Sequence, residues 1–225
     1  MEATDTIKVI GSDTTNTMSG TEGGAQHYIE EKLDKNLQRI FCNLHTNELP
    51  FRNLFQSIDG KTSGNDSFKG PIGKACKDVK KNKVKKTFTA VTAGDSVPII
   101  SNELLHELSW DQKCLYKLLH AVRSGKSSID IENMQLAGLN HARWLTLAIR
   151  SLYLYICWHS LSPAETENLN TLIHFIMTNY GPMWFRIKMK PLSNEELDLI
   201  IDEALTLPPY RSHQQYSFWR RKNIF

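Results

Sequence analysis

A chain of 225 residues with 40% hydrophobic and 23% charged side chains can close a core without disulfides or metals, and its make-up argues against general disorder. The opening residues MEATDTIKVIGSD carry acids and lack an apolar stretch, and no apolar run of about 18 residues occurs, so neither a signal peptide nor a membrane span is expected. The net charge of +3 is unevenly placed: residues 61–90 hold nine lysines against Asp66 and Asp78, a local +7 that leaves −4 for the rest.

Residues 6–12, TIKVIGS, read as a short strand, with Asp13 just past its C-terminal end and a polar, glycine-containing loop after it. Ala25, Ile29 and Leu33 recur every four residues and predict a helix from about Gly24 to Lys35. LQRIFCNL, residues 37–44, fits a second strand. Phe51, Leu54, Phe55 and Ile58 share one face of a helix over residues 46–58, with Pro50 expected in its first turn. Strand, helix, strand, helix is an α/β pattern.

The character changes at Asp59. DGKTSGNDSFKGPIGK reads as a loop, and the lysine run to Lys86 continues it, with one helical turn near Lys74–Lys80 and a strand over TFTAVTAG. From Asn102 the pattern is helical. Ser109 and Gln112 form a capping box before a helix to about Val122, and an apolar helix is expected over residues 141–159. Ser162, Pro163 and Glu165 open the next helix, whose apolar stripe runs from Leu169 to Met177; Ser193 and Glu196 open another to about Leu205, and an irregular tail follows.

The four cysteines, Cys42, Cys76, Cys114 and Cys157, are far apart and form no CxxC. Free thiols in a reducing compartment are the simplest reading, which makes the chain intracellular, nuclear or cytoplasmic. Cys42 and His45 have a legal zinc spacing but lack a second pair; a buried Cys42 and a structural hydrogen bond from His45 are the plainer expectation. SFKGPIGKACK is not a P-loop, because only two residues separate Gly70 from Gly73 and Ala75 follows Lys74. Its glycines can still bring backbone amides to a phosphate. Lys69, Lys74, Lys80, Lys81, Lys83, Lys85 and Lys86 are the candidate nucleic-acid contacts, as salt-sensitive point charges; the competing reading is a solvated loop that contributes little packing. Trp184, Phe185, Arg186 and Lys188 read either as a base-stacking patch or as a core tryptophan with solvent-facing basic neighbours.

The segments IGSDTTNTMSG, FCNLHTNELPFRNLF, DGKTSGNDSFKGPIGK, LNHARWLTLAIRSLYLYI and YGPMWFRIKMKP resemble transposon-derived proteins of invertebrates, which are similar to hAT-type transposases with an RNase H-like catalytic domain. The resemblance implies an α+β, mainly helical chain: an incomplete RNase H-like α/β piece with a basic Gly/Lys-rich loop over residues 1–100, then a helical domain over 101–225 like the transposase insertion. It matches Asp13 to one of three metal-holding acids, Cys42 and His45 to the family's Cys-x-x-His, and Arg143 and Trp144 to the pair that begins the insertion. The first acid would lie before Met1 and the last beyond the helical insertion. Two-metal phosphoryl transfer needs converging carboxylates, which Asp13 alone does not supply. Asp95, Glu165, Glu167, Glu195 and Glu196 are the other carboxylates weighed, and Glu165 and Glu196 already serve as caps. No cofactor is therefore expected, and Mg or Mn only if the site is completed.

The leading expectation is a transposase-derived fragment or domesticated remnant, catalytically inactive, with weak nonspecific DNA binding. One rival is a protein-interaction or structural helical module, with a protein partner or self-association and no nucleic-acid role. The other is a metal-dependent transposase or nuclease whose missing acids come from elsewhere.

Overall fold

The computed structural model describes residues 7–12, 18, 23–62, 68–92, 97–139 and 143–189. The chain is α+β and mainly helical. It divides into two compact units, one containing the chain up to Asn47 and the other Glu48–Met189. The boundary expected near residue 100 falls inside the second unit.

The first unit holds β1 (Val9–Ser12), α1 (Ala25–Leu33) and β2 (Gln38–Phe41). The strands pair in parallel, Val9 opposite Gln38 through Ser12 opposite Phe41, so α1 is the crossover of a β–α–β unit. Gln26 of α1 donates to the Ser12 hydroxyl at 2.7 Å, and Glu30 pairs with Arg39 of β2, so both ends of the crossover are tied to the strands. Asp34 ends α1 in the left-handed conformation, its amide returning to the carbonyls of Glu30 and Glu31.

β2 stops at Phe41, earlier than the apolar pattern to Leu44 suggests. The Cys42 carbonyl accepts from both the amide (3.1 Å) and the hydroxyl (3.2 Å) of Thr46, which starts α2 (Asn43–Asp59) at once. Pro50 consequently lies in the body of α2, not in its first turn, and the Thr46 carbonyl loses its helical donor there.

In the second unit, α2 continues into α3 (Pro71–Asp78), a 3₁₀ turn (Val79–Lys81), α4 (Asn102–Glu107), α5 (Trp110–Ser124), the short α6 (Ile129–Glu132), α7 (Arg143–Ile156), α8 (Pro163–Phe175), a π turn (Ile176–Tyr180) and α9 (Gly181–Met189). Within the segment expected as a lysine loop, helix covers residues 71–81, more than the single turn expected near Lys74–Lys80. The apolar helix is shorter than residues 141–159, ending at Ile156. Two of the three expected capping boxes form, at Ser109–Gln112 and Ser162–Glu165, and the third, at Ser193–Glu196, lies outside the described residues.

α7 is the centre. Leu145, Leu147, Ala148, Ile149, Leu152, Tyr153, Leu154 and Ile156 are buried, so it is apolar nearly all round, and it packs against α3, α5 and α8. At its start Trp144, only 6% exposed, meets Phe51, Phe55 and Phe68 edge-on with ring centroids 6.2–6.4 Å apart. Such pairs add about 0.5–1.5 kcal/mol each beyond burial. Trp184 and Phe185 are buried, whereas Arg186 and Lys188 face solvent. The expected helix from Ser193 and the tail lie outside the described residues.

Candidate nucleic-acid interface

The lysine-rich segment leads from Lys69 into α3, an eight-residue helix held at both ends by buried charge. At its N-terminus the Asp59 carboxylate accepts from the amides of Ile72 and Gly73, both at 2.8 Å. At its C-terminus the Arg150 guanidinium donates to the carbonyls of Cys76 (2.8 Å) and Lys77 (3.1 Å), and its Nε donates to Ala137 (2.9 Å). An anion at the start and a cation at the end complement the helix dipole and satisfy groups that a helix leaves unpaired. Burial pushes the Asp59 carboxyl above its usual range, and the two amides draw it partly back.

This arrangement answers the question that SFKGPIGK poses. The amides do converge on an anion, but the anion is the chain's own Asp59. The glycines make room for it. A Cβ on Gly70 would lie 2.0 Å from the Asp59 carbonyl oxygen, and one on Gly73 would lie 2.6 Å from Cβ of Phe68 and 2.9 Å from Asp59 Oδ2.

Beyond the 3₁₀ turn, residues 83–91 form an extended strap across the C-terminal ends of α5 and α7. Lys85 N donates to the Ile156 carbonyl (2.8 Å), Trp158 N donates to Lys83 (2.9 Å), and Val84 pairs antiparallel with Cys157. Farther on, Ser127 N donates to Lys86 (3.2 Å), Phe88 N to Gly125 (3.0 Å), and Thr87 pairs with Lys126. The strand expected over TFTAVTAG is absent from its described part. Phe88 and Val91 instead bond singly to carbonyls at the end of α5, with no continuous strand alongside.

The seven candidate lysines divide by environment. Lys69, Lys74, Lys83 and Lys86 are exposed. Lys81 is exposed and pairs with Asp78 at 2.6 Å. Lys80 is committed to the fold: its ammonium donates to the Met134 carbonyl (2.7 Å) and the Tyr153 hydroxyl (3.2 Å) and lies 4.9 Å from the Tyr153 ring centroid. Lys85 is half-buried, with Nζ 5.2 Å from the ring centroid of Trp158. The picture of a lysine loop that contributes little packing is therefore corrected for these two. Lysines beside the C-terminal ends of α5 and α7 also offset the negative ends of two helix dipoles, a structural reason for part of the run.

Elsewhere the expected site residues remain apart. Asp13 follows β1 directly in sequence and lies outside the described residues, as do Asp95, Glu195 and Glu196. Cys42 is exposed rather than buried, although its amide still donates to the Ser12 carbonyl at 2.9 Å, and His45 is half-buried in the first turn of α2. Arg143 opens α7, and Trp144 anchors that helix in the aromatic cluster, with the Arg52 guanidinium 6.0 Å from its ring centroid. Glu165 caps α8, accepting from the Ser162 amide at 2.7 Å. Among the described residues no three His, Cys, Asp or Glu side chains are grouped to hold a metal ion, and no helix is long and apolar enough to cross a membrane.

Sequence reasoning missed Asp59 and Trp158. Asp59 is 13 positions from its partner amides, and nothing in the local pattern joins them. Trp158 had one signal, an aromatic followed by His-Ser just where an apolar helix ends. Comparisons with protein-family models, curated proteins and solved structures find no match to this chain.

Proposed function

We propose that this chain is a catalytically inactive remnant of an RNase H-like, hAT-type transposase that binds duplex DNA weakly and without base preference. The observation that carries the binding reading is the lysine segment: eight lysines against the single Asp78 over residues 69–86, displayed on a helix fixed at both ends and on a strap bonded to two helix termini. A basic segment whose backbone is already held loses less freedom on meeting a phosphate backbone than a loose loop does. The transposase reading rests on the quoted segment resemblances and on the parallel β–α–β unit, whose first strand runs up to Asp13. Base reading would need an element such as a recognition helix, and the lysines supply only charge.

The test is the salt dependence of binding to a mixed-sequence duplex. Each phosphate contact contributes about 0.9 to the slope of log affinity against log salt. Replacing Lys69, Lys74, Lys83 and Lys86 with glutamine is expected to lower that slope by roughly 2–4 while leaving the circular-dichroism spectrum unchanged. The set spares Lys80 and Lys85, which have structural contacts. A slope near zero in the parent chain, or no change in the variant, would refute the reading and favour the protein-interaction module.

A further inference from the structure

We infer that Trp158 is a stacking platform for an unpaired base, so that the chain prefers single-stranded to duplex nucleic acid. The inference rests on the proposed phosphate binding and deepens it by naming the form of nucleic acid. Trp158 is 65% exposed although it lies only two residues past Ile156, the last residue of the buried α7. Its backbone is held in place: its amide donates to Lys83, and the preceding Cys157, fully buried, pairs with Val84. The indole is thereby presented to solvent from a fixed point, which lowers the ordering cost of binding.

The surroundings favour a nucleotide over a purely apolar partner. The Lys85 ammonium lies 5.2 Å from the indole centroid, and Lys83 is hydrogen-bonded to Trp158 through the backbone. The strap then leads to Lys86, whose carbonyl binds Ser127, and to Thr87, which pairs with Lys126. An aromatic platform continued by a file of lysines is the combination that single-strand binders use, with bases stacking and phosphates following the charge. In duplex DNA the base faces are already stacked and unavailable to an exposed indole. Trp110 makes a useful contrast: it is also exposed, at 54%, but its indole N–H donates to the Gln135 carbonyl at 2.7 Å and no cation lies over its ring among the described residues.

Fluorescence anisotropy with three probes of equal length tests this: an oligothymidylate of about 15 nucleotides, a duplex, and an abasic phosphodiester oligomer. The parent chain should bind oligothymidylate about tenfold more tightly than the abasic oligomer, the increment expected of one stacked base. Trp158→Ala should abolish that difference, and Trp158→Phe should keep most of it. Equal affinity of the parent chain for oligothymidylate and the abasic oligomer would overturn the inference while leaving phosphate binding intact. So would an equal loss on all three probes in Trp158→Ala, or competition by polyglutamate as effective as by oligothymidylate. Absence of salt-dependent binding to any probe would overturn the phosphate reading as well, so the two failures are distinguishable.

Discussion

Gly70→Ala is the sharpest probe of how the basic helix is held. The added Cβ would lie 2.0 Å from the Asp59 carbonyl oxygen, 2.3 Å from its Cγ and 2.5 Å from its Oδ1. A carbon and an oxygen in ordinary contact are well over 3 Å apart, so the two segments must separate by about 1 Å or more. Rotating a side chain does not provide that gap, because the nearest atom is backbone. Overpacking of this kind costs about 1–3 kcal/mol. The separation also stretches the two bonds from Ile72 and Gly73 to the Asp59 carboxylate, and a hydrogen bond to a charged group is worth roughly 1.5–3 kcal/mol. A total on the order of 3–5 kcal/mol corresponds to a melting temperature lower by roughly 10 °C in a chain of this size. Circular-dichroism melts and urea titrations measure it, with Gly23→Ala as the control, since a Cβ there meets no atom within 4 Å. If Gly70→Ala melts with the control, the seating of Asp59 against α3 is wrong.

Other substitutions test the remaining supports. Arg150→Met removes the donor to three backbone carbonyls and should cost about 2–4 kcal/mol in urea denaturation, with Arg150→Lys recovering less than half because one ammonium cannot span them. Glu48 is pushed up to about 7 by burial, above its unfolded value near 4.5, so the folded chain holds the extra proton between those pH values. The contribution of Glu48 is therefore fully present below about pH 4.5 and is lost as pH rises through 7, by up to about 3 kcal/mol; urea midpoints measured between those pH values should fall more steeply in the parent than in Glu48→Gln. Cys42 is exposed, whereas burial pushes the Cys76 thiol up to about 12 and those of Cys114 and Cys157 up to about 11, so brief iodoacetamide treatment of the native chain should label Cys42 first, as peptide mapping would show.

What the sequence disclosed follows the range of the forces involved. Capping at Ser109 and Ser162 is a three-residue interaction, and both boxes form where the spacing places them. The apolar periodicity of α7 marks a buried helix because burial acts along its whole length. Local patterns misplaced the end of β2, where two bonds from Thr46 to Cys42 outweigh the apolar run to Leu44. They also understated the helix of residues 71–81, of which only one turn near Lys74–Lys80 is expected from the sequence. Glycine, proline and lysine together argue for a loop, but proline at the first helical position is favourable, and the remaining cost is offset by Asp59 and Arg150, which lie far away in sequence. Arg150 itself reads as an interruption in an apolar stretch until its carbonyl partners are seen.

Lysines adjacent in sequence within residues 69–86, such as Lys80 with Lys81 and Lys85 with Lys86, set like charges within a Debye length of each other, about 8–10 Å at ordinary salt. The fold relieves part of that repulsion. Lys80 lies on a carbonyl, a hydroxyl and an aromatic face, Lys81 pairs with Asp78, and Lys85 lies near an indole, while the ends of α5 and α7 turn their negative poles toward the strap. Lys69, Lys74, Lys83 and Lys86 stay exposed, so repulsion between them and neighbouring cations is screened by dissolved ions. A polyanion that spans them removes a cost already present in the folded chain, besides adding contacts of its own. Added salt should therefore stabilise the unliganded chain while weakening its hold on nucleic acid. The opposite signs arise from the same charges, since salt both screens their repulsion and competes with a polyanion for them.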